Sequence, residues 1–225
     1  MATKTPDPIT VSDAAVRALL ERYKCPVPWH QVRTRFLGNI ASPHIEASPI
    51  KTVESLWGGE LPEFESLDDA NELIGALVMG LWNRLSRHQD RNAPFRLTRI
   101  QTSATRQGLA ELAQMRMEEL DGFIDGLFGK EEALDVPERA RRGLDALSQM
   151  RALFAAVVEV ATDDSKPGTE KDMEATVRHI GEMTKIVEHE MHATVMACAR
   201  ARRQMLEAPP RRSLSSTKWH RRGGA

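Results

Sequence analysis

The stretch EELDGFIDGLFG, Glu118 to Gly129, sets four carboxylates and three glycines among Leu, Phe and Ile. Carboxylates at such density suit two kinds of chemistry, metal ligation and paired acid–base catalysis. A di-metal helical bundle combines a Glu-x-x-His motif with carboxylates from other helices, and this chain has no such motif. Paired-acid catalysis needs one carboxyl with a raised pKa, which burial usually provides. At about 100° per residue, Leu120, Phe123, Ile124, Leu127 and Phe128 form one apolar stripe, while Glu118, Asp121 and Asp125 share a polar flank. The pattern therefore predicts a packing helix with a solvated acidic face. Gly122 and Gly126 each cost about 1 kcal/mol of helix propensity relative to Ala, which makes sense where another segment approaches closely.

A second candidate is EMTKIVEHEMHATV, with His189 and His192 three apart and Glu182 two turns earlier. The spacing is not the His-Glu-x-x-His of zinc proteases. A heptad-like series (Met173, Val177, Ile180, Thr184, Val187, Met191, Thr194, Cys198, Ala201, Met205) runs along the same helix. In that register both histidines and Glu182 point away from the seam. A pair on one exposed face lacks the remaining ligands and the supporting shell of a specific metal site. No catalytic residue, metal or cofactor is therefore expected. The series reads first as core of its own domain. Its alternative is a partner or self-association surface centred on Val187, Met191 and Cys198, which methionine-rich packing would suit.

The third candidate is the tail, ARARRQMLEAPPRRSLSSTKWHRRGGA. Arg211, Arg212, Lys218, Arg221 and Arg222 could neutralise phosphates while Trp219 stacks on a base, a pattern suited to RNA or single-stranded DNA. RRSLS also resembles a basic-directed phosphorylation sequence. The plainer reading is a flexible basic tail. Gly-rich phosphate loops, a Gly-x-Ser-x-Gly elbow and Cys-x-x-Cys pairs do not occur.

The elements that carry these residues are helices. Thr10 or Ser12 can cap a first helix that ends before CPVP, and a second spans about His30 to Ile40, weakened at Gly38. Ser48, Pro49 and Gly58 bound a third, and Ser66 with Asp68 and Asp69 opens a fourth that runs to about Arg87. RNAPFRLTRIQ is a connector. A fifth helix covers about Thr105 to Phe128, and another begins with Pro137 in its first turn. After the turn-rich linker DDSKPGTE, one long helix on the order of 50 Å is expected from Glu170 to Leu206.

The expected class is all-α: a multi-helix, orthogonal or bundle-like domain with a long C-terminal helix and a disordered basic tail. Its divisions are 1–10 flexible, 11–164 helical domain, 165–169 linker, 170–206 long helix and 207–225 tail. A chain of 225 residues, 41% hydrophobic and 28% charged, has the make-up of a soluble globular protein. A net charge of −1 gives no global pull toward nucleic acid or membrane. Two cysteines, Cys25 and Cys198, support a reduced compartment. No stretch resembles a signal core or membrane span, so the expected location is cytoplasmic.

The middle of the chain resembles the bacterial YecA/YgfB-like family of helical proteins. The carrying residues are RFLGNIASPHIEASPIKTVESLWGGELPEFESLDDANELIGALVMGLWNRL, with Phe-Leu before a small-residue turn, Ser-Pro opening a short helix, Trp57, Gly-Gly-Glu, Pro-x-Phe, an acidic helix start and Asn83. LDGFIDGLFG resembles the family's Gly-Phe-x-x-Gly helix. The resemblance covers about Trp29 to Asp164. It implies an all-helical fold, no known catalytic constellation, and a role through contact with other molecules. The C-terminal cysteine-rich zinc motif of some members is absent, and the helix and tail after Pro167 lie beyond the match. The reading that follows is a non-enzymatic interaction or regulatory protein with an unidentified protein partner, ahead of a nucleic-acid-associated protein and a metal-dependent enzyme.

Overall fold

The computed structural model describes residues 11–44, 47–163, 165, 168–207 and 218–220. The protein is all-α around a shared hydrophobic core. Short helical pieces come first: α1 (Asp13–Arg22), α2 (Trp29–Ala41), α3 (Pro49–Ser55), α4 (Leu67–Ile74) and α5 (Asn83–Ser86). Then come α6 (Arg106–Phe128), β1 (Ala133–Asp135), α7 (Glu138–Thr162), α8 (Glu170–Glu207) and β2 (Lys218–His220). Helix α8 has 38 residues. At about 1.5 Å per residue it extends about 57 Å.

Local chemistry sets several boundaries. Ser12 caps α1 by accepting from the Ala15 N–H at 3.2 Å, and Ser66 caps α4 from Asp69 at 3.1 Å, each satisfying a free first-turn N–H. Thr105 caps α6 by accepting from Gly108 at 3.1 Å. Pro49 occupies the first turn of α3, and Gly58 and Gly59 follow it with φ of 84° and 114°. Pro137 stands just before α7 rather than inside it. The apolar run after α4 departs from a regular α-helix: Gly75–Trp82 is π-helical, continuing into α5 and a 3₁₀ turn at Arg87–Gln89. Leu77 and Leu81 are buried there, whereas Met79 faces out.

Helix α6 is the centre of the molecule. Leu120, Phe123, Leu127 and Phe128 are buried as the stripe requires, with Ile124 packed beside them. The glycines mark a close crossing with α2. A Cβ at Gly122 would stand 2.6 Å from the Gln31 carbonyl oxygen, and one at Gly126 would overlap the Arg35 carbonyl. Gly38 answers them from α2 by lying against the Phe123 carbonyl, so it belongs to the crossing rather than weakening the helix, which continues to Ala41.

Helix α8 is part of the same core. Ile180, Val187, Met191, Thr194, Val195, Cys198 and Ala199 are buried against the body. Near its end, Arg202 donates to the Ile40 carbonyl at 3.0 Å and to the Ser42 carbonyl at 3.2 Å. These bonds satisfy carbonyls left free where α2 ends. Within the segment expected as tail, Lys218–His220 pairs antiparallel with β1, Leu134 standing opposite Trp219. Among the described residues no helix is long and apolar enough to cross a membrane.

Candidate functional site

The acids of α6 do not form a solvated face. Asp121 accepts from Arg151 of α7 at 2.5 and 3.0 Å, Asp125 from Arg35 of α2 at 2.9 Å, and Glu118 pairs with His30 of α2 at 2.6 Å. Each links α6 to a neighbouring helix, because the polar flank of a central helix borders its neighbours, and the three carboxylates stay only part-exposed. The fourth acid, Glu119, is fully buried and paired with Arg116 one turn earlier. A buried charge persists only when paired and hydrogen-bonded.

Glu119 and Arg116 hold the connector before α6. Glu119 accepts from the Thr98 N–H at 2.7 Å, and Arg116 donates to the Thr98 carbonyl at 2.7 Å. From α8, Glu188 accepts from the Leu97 N–H at 3.0 Å and from Arg96 at 2.6 Å. From α2, Arg33 donates to the Arg96 carbonyl at 3.2 Å and lies over the Phe95 ring at 5.1 Å. Charged side chains from three helices thus satisfy an extended backbone that a neighbouring strand would ordinarily pair.

The two histidines separate. His189 is exposed, with its Nε2 3.9 Å from Glu190. His192 turns inward instead of facing water as its register suggests, and both ring nitrogens are shielded without a hydrogen bond of normal geometry. Burial lowers its pKa, the Arg91 backbone opposing and His189 and Arg96 adding to the shift. His88 lies nearby, buried, with Nδ1 2.6 Å from the Ala93 carbonyl and its ring edge-on to Phe95; burial lowers its pKa also. Glu182 is engaged with Lys185 at 2.8 Å. Among the described residues no group of three His, Cys, Asp or Glu side chains is arranged to hold a metal.

The residues expected as an alternative partner surface need correction. Val187, Met191 and Cys198 have 0% exposure, because their stripe packs on the chain's own helices. Burial pushes the Cys198 thiol up to about 12, far from the range of a reactive thiolate. Of the candidate nucleic-acid contacts, Arg211, Arg212, Arg221 and Arg222 lie outside the described residues, while Lys218 and Trp219 lie in β2.

Two concavities stand out among the described residues. The larger, about 850 Å³, is a cleft of mixed character where α2, α3 and the end of α6 meet, with Arg35, Lys51 and Asp125 as well as Leu127, Phe128 and Met205 on its walls. Two of its hydroxyls are occupied with backbone: Ser55 donates to the Thr52 carbonyl at 2.7 Å, and Thr52 to the Ser48 carbonyl at 3.4 Å. The smaller, about 450 Å³, is an apolar groove lined by Leu109, Leu153, Val157, Val160, Met173 and Met183. It follows from how α7 and α8 meet. Where Gly143 faces Thr194 the helices are so close that a Cβ would overlap the Thr194 hydroxyl. Toward Leu153–Ala161 and Asp172–Met183 the groove opens between them, leaving Leu153 and Val160 48% and 50% exposed. Helical periodicity does mark these residues as apolar, but only the three-dimensional arrangement shows that none of the described residues covers them.

No family model matches the chain, and neither a curated protein nor a solved structure does.

Proposed function

We propose that this chain is a non-enzymatic interaction or regulatory protein that receives an amphipathic helix of a partner protein in the groove between α7 and α8. The observation that carries the reading is the apolar groove with Leu153 and Val160 half-exposed at its mouth. Its α8 wall runs from Asp172 to Met183. At about 1.5 Å per residue that is about 17 Å, the length of roughly three helical turns. An incoming helix would set anchors at i, i+3 or i+4, and i+7 along it. Met173 and Met183 give the walls the adaptability of unbranched thioether side chains. We place the protein in the cytoplasm, a reading supported by its two free thiols, and keep the YecA/YgfB-like relationship as part of the proposal.

Nucleic-acid association through the tail is the second reading, supported by its clustered arginines. A metal-dependent enzyme ranks last. The test is a photoreactive amino acid placed at Leu153 or Val160 of the full chain in cells, with Leu67 as an exposed control far along the sequence. Groove positions are expected to give one shared protein adduct that the control lacks. Identical adducts from all three positions, or an adduct consisting only of a second copy, would overturn the hetero-partner reading.

A further inference from the structure

The pairing of β1 with β2 points to a second docking surface, independent of the groove. Strand β1 is seated firmly: Leu134 is fully buried and Val136 nearly so. What faces it is three residues from the far end of the sequence, Lys218–His220, in the register Ala133–His220, Leu134–Trp219 and Asp135–Lys218. A ladder of three residues has little cooperative support, since even a complete isolated two-stranded hairpin is marginal in water. An open strand edge is in turn a template for whatever extended chain reaches it.

Charge distinguishes the two strands. The register sets an acidic position, Asp135, directly opposite a basic one, Lys218, and opposite charges at facing positions stabilise a ladder. In sequence, β1 is preceded by Glu131 and Glu132, whereas β2 is followed by Arg221 and Arg222; Glu138, just after β1, is taken up by Arg141. Acidic residues precede one strand and basic residues follow the other, with an aromatic residue at the middle of the basic one. Similar acids elsewhere, such as those of α6, are consumed by arginines from neighbouring helices. Glu131 and Glu132 are exposed.

We propose that β1 is a docking strand for an extended segment of another protein in which an aromatic residue lies between basic ones, and that the chain's own Lys218–His220 occupies it in the resting state. The tail therefore displays the chemistry of the partner. It is also a competitor, because a tethered occupant acts at high effective concentration and excludes a free segment until it is displaced. Main-chain pairing supplies attachment, and the acids around β1 select the basic flanks. This use of the tail differs from phosphate binding, since it depends on sequence order along an extended backbone as well as on charge.

The experiment uses full-length variants. Lys218→Glu sets like charges opposite each other and should speed amide exchange in both strands roughly tenfold, the summed loss of attraction and gain of repulsion. Adding Asp135→Lys restores opposite charges, and protection should return. A fluorescent peptide of residues 211–225 should bind the Lys218→Glu chain, weaken as salt rises, and fail to bind either the unmodified chain or the double variant. A scrambled peptide of the same composition should not bind. Failure of the charge swap to restore protection would overturn the resident pairing. Equal binding of the ordered and scrambled peptides, equal binding to all three chains, or no binding to the Lys218→Glu chain would overturn the docking strand.

Discussion

Two helix pairs in this molecule are built to opposite ends. The α2–α6 crossing is closed: Gly122 and Gly126 let backbone lie on backbone, and Arg35–Asp125 and His30–Glu118 link the helices at its flanks. The α7–α8 pair is closed at one end only, at Gly143, and leaves an apolar groove at the other. Apolar side chains line both, so hydrophobicity does not distinguish them. The difference is whether the described residues supply the opposing surface. Where they do, side-chain volume and charge are matched; where they do not, large aliphatic groups remain half in water.

The largest effect should come from the buried charge that supports the closed region. Glu119→Ala leaves Arg116 without its carboxylate and frees the Thr98 N–H. It should destabilise the fold by about 3–5 kcal/mol in denaturant unfolding. A loss below about 1 kcal/mol would mean that water reaches the pair and that the closed region is looser than described.

Next is a pair of glycine substitutions of opposite sign. Gly126→Ala forces a Cβ into the Arg35 carbonyl, which cannot move without moving α2, and should cost about 3 kcal/mol. Gly181 lies in α8 with nothing within 4 Å of its Cβ position. Gly181→Ala should therefore stabilise by about 1 kcal/mol. Equal effects at both sites would remove the distinction between a closed crossing and a helix face open to water.

A smaller effect is expected from pH. His88 and His192 both have lowered pKa values, chiefly through burial, so the fold favours their neutral forms. Below the unfolded value of about 6.5 the unfolded chain takes up protons that the folded chain resists. Stability should therefore fall as pH drops from about 6.5 and stop falling once the lowered folded values are passed. The charged groups facing this pair include Arg33, Arg87, Arg96 and His189. Unfolding curves at about pH 7.5 and about pH 5.5, either side of that value, should differ less in a His88→Asn/His192→Gln chain; an unchanged difference would assign the acid sensitivity elsewhere.

Much of the closed region is legible in the sequence. The stripe from Leu120 to Phe128 follows from helical periodicity, and Gly122 and Gly126 announce close approach because a helix bears their propensity cost for little else. The caps at Ser12, Ser66 and Thr105 are equally local signals. Partners are less legible. The flank holding Glu118, Asp121 and Asp125 looks solvated when α6 is considered alone, since nothing local shows His30, Arg35 and Arg151 arriving from other helices. His192 is misjudged for a related reason: its position on α8 says nothing about the 3₁₀ turn and connector that cover it. The π-helical segment at Gly75–Trp82 lacks a distinct signature in so apolar a run. The β1–β2 pairing joins residues more than eighty positions apart through strands too short to show a period of two. The groove is the extreme case, because what marks it is that none of the described residues stands opposite Leu153 and Val160.

The smallest effect on stability should accompany the largest effect on binding. Leu153 is half-exposed and Leu67 stands out at a helix start. Leu153→Glu and Leu67→Glu should each change folding stability by less than about 0.5 kcal/mol, as substitutions at the surface usually do. The decisive measurement is recovery, by quantitative mass spectrometry, of the protein crosslinked at Val160 from cells carrying each full-length variant. The groove account predicts that recovery falls at least about tenfold for Leu153→Glu, as loss of an interface anchor does, and is unchanged for Leu67→Glu. Undiminished recovery with Leu153→Glu would contradict it.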